Sequence, residues 1–239
     1  MPLSLETRFC GNVYIIQCKG RIVTGEEARQ LEAALELGAR QFSRLVLNVS
    51  EVNRLDSTGL GLLVRYAANM HKRGGDVRLA APPPFIVKLL EMTKLSTILP
   101  VDPTEDDAIL SFLKQRSGLK SKEKSGPRVL VVDQSADLCA FVRAVLSQHG
   151  FDVKSASLVR DAKILLQVDG TEYILVGPGS LQLPSETVMG LLKPLAPKAA
   201  ALQLGADFKS HDAHEATEEL LQLFGRQPSI GVAPSEPLQ

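Results

Sequence analysis

The stretch Arg54-Leu-Asp-Ser-Thr-Gly-Leu-Gly-Leu-Leu63 sets a carboxylate, two hydroxyls and a glycine directly ahead of an apolar run. A serine just before a helix is a preferred N-cap, because its hydroxyl accepts a hydrogen bond from one of the first unpaired backbone N–H groups. On that reading Ser57 is a structural cap, and Asp56, Thr58 and Gly59 are ordinary strand-to-helix turn residues. The same geometry permits regulatory chemistry. A helix N-terminus offers free N–H groups and the positive end of a dipole to a phosphate, and Gly59 and Gly61 keep that end uncluttered. Phosphorylation of Ser57 would add about 1.5 to 2 negative charges to the surface, enough to repel a partner docking over the turn.

Little else in the chain reads as reaction chemistry. The sequence shows no catalytic triad, no Walker-type phosphate loop and no metal cluster, so the expectation is a non-enzymatic protein without a cofactor or metal. The 27 basic and 27 acidic side chains cancel, which gives no electrostatic case for a nucleic acid or an anionic membrane. No apolar run approaches the ~18 residues needed to span a bilayer, and the first residues lack the layout of a secretion signal, so the expected location is cytoplasmic. Of the three cysteines, Cys10 would face Val13 and Cys18 would fall near Leu5 across a hairpin turn at Gly11-Asn12. That placement keeps them apart and argues against a disulfide framework.

The elements that must position Ser57 follow from periodicity. Leu3 to Phe9 and Val13 to Cys18 alternate as a hairpin. Gly25 to Phe42 has helical spacing, and Leu45-Val-Leu-Asn-Val49 is a buried strand. The next helix begins at the Ser57 cluster, with Leu60, Leu63, Val64, Ala67 and Met70 or His71 on its core face, and ends at Gly74-Gly75. Leu62, Tyr66 and Asn69 form a second face beside it, with Leu62 and Tyr66 as an apolar spot next to the serine. A strand over Val77–Ala81, a helix over Phe85–Leu95, an extended piece over Ile98–Val101 and a helix over Asp106–Lys114 complete a small mixed sheet with helices on one face.

At 239 residues the chain is long enough for two domains. Residues 1–114 form the first. Residues 115–127, rich in lysine, serine and glycine, read as a flexible basic linker, and residues 226–239, rich in proline and serine, as a disordered tail. Between them, residues 128–225 alternate strand and helix in the manner of a doubly wound parallel sheet.

Three blocks in order, Leu45 through Leu63, Arg73-Gly-Gly-Asp-Val-Arg-Leu-Ala-Ala-Pro-Pro-Pro, and Leu89-Leu-Glu-Met-Thr-Lys-Leu95, resemble a STAS domain of the anti-sigma factor antagonists over about residues 3 to 114. The resemblance implies that Ser57 is the residue phosphorylated by a serine kinase that doubles as the anti-sigma factor. It also implies that the unphosphorylated chain binds this partner and releases a sigma factor, with Asp56, Thr58 and Gly59 supporting the phosphosite. Leu62, Tyr66 and Asn69 are the expected partner surface. The alternative is a scaffold or adaptor in a signalling or transport-associated complex, in which Ser57 is only the cap.

Residues 128–225 resemble a response-regulator receiver domain whose pattern is broken. Asp133 keeps one acidic position of the metal-holding pair, but the second is Gln134 and the phosphoacceptor position is Gly177, while Leu204-Gly-Ala-Asp-Phe-Lys209 echoes a late block with altered spacing. A single carboxylate would hold magnesium poorly. The expectation is a degenerate receiver-like module for an unknown protein partner or for self-association.

Overall fold

The computed structural model describes residues 1–118, 126–168, 170–178, 183–208 and 213–225. The chain opens with β1 (Ser4–Cys10) and β2 (Val13–Ile22), paired antiparallel around Gly11, whose φ of +60° suits the tight turn. Cys10 lies opposite Val13 and Cys18 opposite Leu5, as the alternation predicts, and all three thiols of the chain are free and buried. Next come α1 (Glu26–Gln41), β3 (Arg44–Leu55), α2 (Ser57–Lys72), β4 (Asp76–Ala80), α3 (Pro84–Met92), β5 (Val101–Asp102) and α4 (Glu105–Gly118). The second half carries β6 (Arg128–Val132), α5 (Ala136–Gln148), β7 (Asp152–Ala156), α6 (Val159–Val168) and β8 (Tyr173–Val176). It continues with α7 (Ser185–Leu192), a 3-10 turn, β9 (Ala200–Gln203) and α8 (Ala213–Leu223).

Strand β3 runs well past the apolar core predicted at 45–49. Its polar second half stays in the ladder with β2 by two register shifts, at Gln17/Lys19 and Gly20/Arg21, so that Arg21 and Ile22 still pair with Arg54 and Leu55. That extension delivers the chain directly to Asp56.

The mixed sheet and its helices are as expected, with one addition. Leu45, Leu47 and Val49 face α1, α2 and α3, packing with Leu31, Leu35, Leu60, Leu63, Ile86 and Leu90. The opposite side of the same strands is equally apolar, with Val13, Ile15, Val46 and Ala80 fully buried. Helix α4 covers that side through Ala108, Ile109 and Phe112. The near-continuous apolar run at 45–47 fits a strand buried on both faces, and α4, by covering the second, corrects the expectation of helices on one face.

The strand order is β5-β4-β3-β2-β1-β7-β6-β8-β9, one nine-stranded sheet. Strands β7, β6, β8 and β9 are parallel in the 2-1-3-4 order of doubly wound sheets. The halves join where β1 meets β7 antiparallel, at the single pair Cys10 and Ala156, with Gly11 N–H donating to Ser155 O at 2.6 Å and Ser157 N–H to Phe9 O at 3.3 Å. An ion network reinforces the junction: Arg8 pairs with Glu105 and Asp161, and Arg160 pairs with Glu105.

Parts of the segment expected as a linker, 115–127, belong to ordered structure. Residues up to Gly118 continue α4, while Pro127 O accepts the N–H of Asp152 at 3.0 Å and Gly126 lies against Gly150. Residues 119–125 and 226–239 lie outside the described residues, and so does Lys209.

Candidate functional site

The turn between β3 and α2 is organised by Asp56. Its Oδ1 accepts the backbone N–H of Gly59 at 2.9 Å, and its Oδ2 accepts the backbone N–H of Thr24 at 2.8 Å and the Thr24 hydroxyl at 3.1 Å. The Thr24 hydroxyl also lies 2.7 Å from the Thr58 hydroxyl. Hydrogen bonds from Gly59 and Thr24 hold the Asp56 carboxyl below its ordinary range, with burial opposing them. Asp56 is thus the N-cap of α2 and Ser57 the first helical residue.

This corrects the capping reading of Ser57. The hydroxyl of Ser57 takes no part in the Asp56–Thr24–Thr58 network, and its side chain is exposed. The reason is register: β3 stays extended through Leu55, so the last residue with extended backbone is Asp56, one position earlier than the serine. Gly59 is buried and fixed by close approach, since a Cβ there would fall 2.7 Å from both Cγ2 and the carbonyl oxygen of Ile22. Gly61, by contrast, is exposed with nothing within 4 Å of a built Cβ.

Thr24 is the site residue that sequence reasoning missed. It lies 32 positions from Asp56, between β2 and α1, and only the parallel pairing of Ile22 with Leu55 brings it to the turn. A threonine followed by glycine at a strand end was the available signal, and it is too common to single out.

The expected partner face divides. Leu62 is 7% exposed and belongs to the core, which removes it from the surface. Helix α2 packs against α1 as well as β4, so its apolar arc widens beyond the single stripe read from the sequence. Tyr66 is half-buried and Asn69 exposed, and both line a groove of about 410 Å³ between α1 and α2. Charged pairs, Arg65 with Glu32 and Arg40 with Glu36, border the groove, and burial with Glu32 and Glu36 nearby pushes the Tyr66 hydroxyl up.

In the second half, Asp133 is fully buried at the end of β6, and its Oδ1 accepts the N–H of Ser135 at 2.7 Å. Ser135 in turn caps α5 by accepting the N–H of Leu138 at 3.2 Å. Gly177, at the end of β8, lies against Asp133: a Cβ there would sit 2.1 Å from Oδ2. The space into which a side chain at residue 177 would project is therefore filled by the neighbouring carboxylate, and Gln134 is exposed. Among the described residues no group of three or more His, Cys, Asp or Glu side chains is arranged to hold a metal ion, and no helix is long and apolar enough to cross a membrane.

Comparison with known proteins bears on the first half. Residues 4–108 match the family model described as the STAS domain. A Paenibacillus polymyxa protein named as an anti-sigma F factor antagonist is 27% identical over 112 residues, which are 46% of this chain and 94% of that protein. An anti-sigma factor antagonist of Mycobacterium paratuberculosis with a solved structure is 25% identical, covering 46% of this chain and 92% of that one with a TM-score of 0.40. The Bacillus cell fate determinant SpoIIAA, solved in its phosphorylated form, is 20% identical, covering 46% of this chain and 98% of that one with a TM-score of 0.39. Residues 4–108 of this chain are a STAS domain, and the Asp56-Ser57-Thr58-Gly59 turn lies within it.

Proposed function

We propose that this chain is an anti-sigma factor antagonist that works by binding, not by turnover, and that phosphorylation of Ser57 is its switch. The unphosphorylated form binds an anti-sigma factor that is also a serine kinase, and a sigma factor is thereby released. The name of the Paenibacillus relative supports the general role. The observation that carries the switch is the division of labour at the turn: Asp56 caps α2, which leaves the exposed Ser57 hydroxyl available to a kinase. Because Asp56 already takes the Gly59 N–H, a phosphate on Ser57 would not settle into an empty anion site. It would stand beside an ionised carboxylate, and together they would place about three negative charges on one turn. A partner whose surface there is acidic or apolar would be expelled, whereas an arginine cluster would reverse the sign. Tyr66 and Asn69 extend the proposed contact surface along the groove beside α1.

The second half is proposed to be a receiver-like module, residues 128–225, that no longer accepts phosphate and serves docking or self-association. The contact between Gly177 and Asp133 supports that reading.

The test is affinity purification of the wild type, Ser57→Ala and Ser57→Asp from the native cell, with phosphopeptide mass spectrometry across residues 55–65. Phosphate on Ser57, and a serine kinase of the anti-sigma type retained by the alanine variant and lost by the aspartate variant, is the expected result. An unmodified serine with identical partners for all three chains overturns the proposal in favour of an unphosphorylated scaffold.

A further inference from the structure

We infer that the cleft between the two halves is a binding site for an extended polypeptide segment, which adds as a strand to the free edge of β1. The cleft is about 940 Å³ and is bounded by β1, α1 and α5 with the N-terminal end of α6. Its origin lies in the junction. The β1–β7 ladder is the pair Cys10 and Ala156, after which the chain turns away into α6, and among the described residues no strand pairs with the rest of β1 on that side.

The hydrogen-bonding direction of β1 follows from that same contact. Phe9 and Gly11 direct their backbone groups to Ser157 and Ser155, away from β2. Alternation in an antiparallel pair then points the N–H and C=O of Thr7 the same way, into the cleft that Thr7 lines, while Arg8 bonds to β2. Thr7 is exposed, so an unpaired donor and acceptor stand at an open sheet edge, the template that strand addition uses.

The shape of the cleft selects a strand over a compact ligand, because it wraps around the sheet edge and has walls on both faces. On the α1 face the wall is apolar and aromatic, with Phe42 stacked between Phe9 and Tyr14 and the half-exposed Leu37 beside them. On the α4 face it is polar, with Glu105, Arg160 and Asn48. An added strand sends alternate side chains to the two faces, so the segment that fits alternates apolar with polar residues. Arg143 of α5 fixes one charge. It donates to the Ser155 hydroxyl, has no carboxylate partner among the described residues, and keeps a buried Nε with no acceptor. A carboxylate at the α5 end of the apolar side complements it. This inference is independent of Ser57.

The test uses the full chain and fluorescein-labelled acetylated peptides of about seven residues in which valine or leucine alternates with threonine or glutamine, ending in a glutamate or its glutamine counterpart. Scrambled peptides of the same composition serve as controls. Anisotropy should give tighter binding of the alternating glutamate peptides than of either control, and peptide should slow hydrogen exchange at the Thr7 amide. Thr7→Pro deletes the outward N–H without removing a bond to β2, so the melting transition should survive while affinity falls roughly ten-fold. Arg143→Gln should weaken the glutamate peptides and leave the glutamine ones unchanged. No binding below about 1 mM for any alternating peptide, equal binding of the scrambled controls, or a folded Thr7→Pro chain that binds like the wild type overturns the inference.

Discussion

The carboxylate of Asp56 and the backbone N–H of Gly59 meet at 2.9 Å, and this one bond makes Asp56 the cap of α2 and leaves the Ser57 hydroxyl outside it. The same carboxylate reaches back to Thr24, so the cap also pins the loop between β2 and α1 to the start of α2.

Asp56→Ala should therefore destabilise the chain by about 1 to 2 kcal/mol, the cost of losing an N-cap together with a loop tether. Ser57→Ala should change stability by less than about 0.5 kcal/mol, because the serine is an exposed first-turn residue outside the network. Urea denaturation of both variants checks the pair. Equal losses would restore the serine as the cap.

The two glycines of the turn should respond in opposite directions to alanine. Gly59→Ala drives a methyl to within 2.7 Å of Ile22 and 2.9 Å of Leu55 Cδ1, and should cost about 1 to 3 kcal/mol. Gly61→Ala meets open space inside a helix and should stabilise by about 0.5 to 1 kcal/mol. Thermal melts of the two single variants read the contrast.

Two aspartates should give pH dependences of opposite sign. The folded-state pKa of Asp56 is lowered by its hydrogen bonds, so its contribution is present above the unfolded carboxyl pKa and lost as pH falls through the folded value. Asp161 is fully buried at the junction, and burial pushes its carboxyl up to about 6 although Arg8 and Arg160 oppose the shift. Between the unfolded value and about 6 the folded state binds the extra proton, so this group makes stability fall as pH rises through that window. Denaturation midpoints measured from pH 4 to pH 7 should show Asp161→Asn removing the second slope while Asp56→Asn leaves it in place.

Installing an aspartate at residue 177, where the proposed receiver-like reading would place a phosphoacceptor, should fail. Gly177→Asp, alone or with Gln134→Asp, places its Cβ 2.1 Å from Asp133 Oδ2, so the side chain enters only by displacing a buried carboxylate. The expected outcome is a loss of roughly 2 to 3 kcal/mol and no aspartyl phosphate on incubation with acetyl phosphate and magnesium. Phosphate incorporation at residue 177, detected by mass spectrometry, would refute this account of the site.

The sequence by itself determined the locally encoded parts of this protein. Alternation in β1 and β2 fixed the hairpin register to the residue, because the side-chain period of a strand is two and a two-residue turn leaves no slack. The apolar run at 45–49 and the small polar cluster after it located the strand, the helix start and Ser57. Only the tertiary structure decided the rest. Whether serine or aspartate caps α2 turned on how far β3 stays paired with β2, a long-range ladder with two register shifts. Leu62 went to the core because α1 and the sheet both press on α2, and Thr24 reached the site across 32 residues of chain. The joining of the two sheets at Cys10 and Ala156, and the open edge of β1 beside that joint, depend on a short antiparallel contact, with backbone bonds from Gly11 to Ser155 and from Ser157 to Phe9, between segments far apart in the chain. Local periodicity carries no record of such a contact, because backbone hydrogen bonds between strand edges are nearly indifferent to the side chains that accompany them.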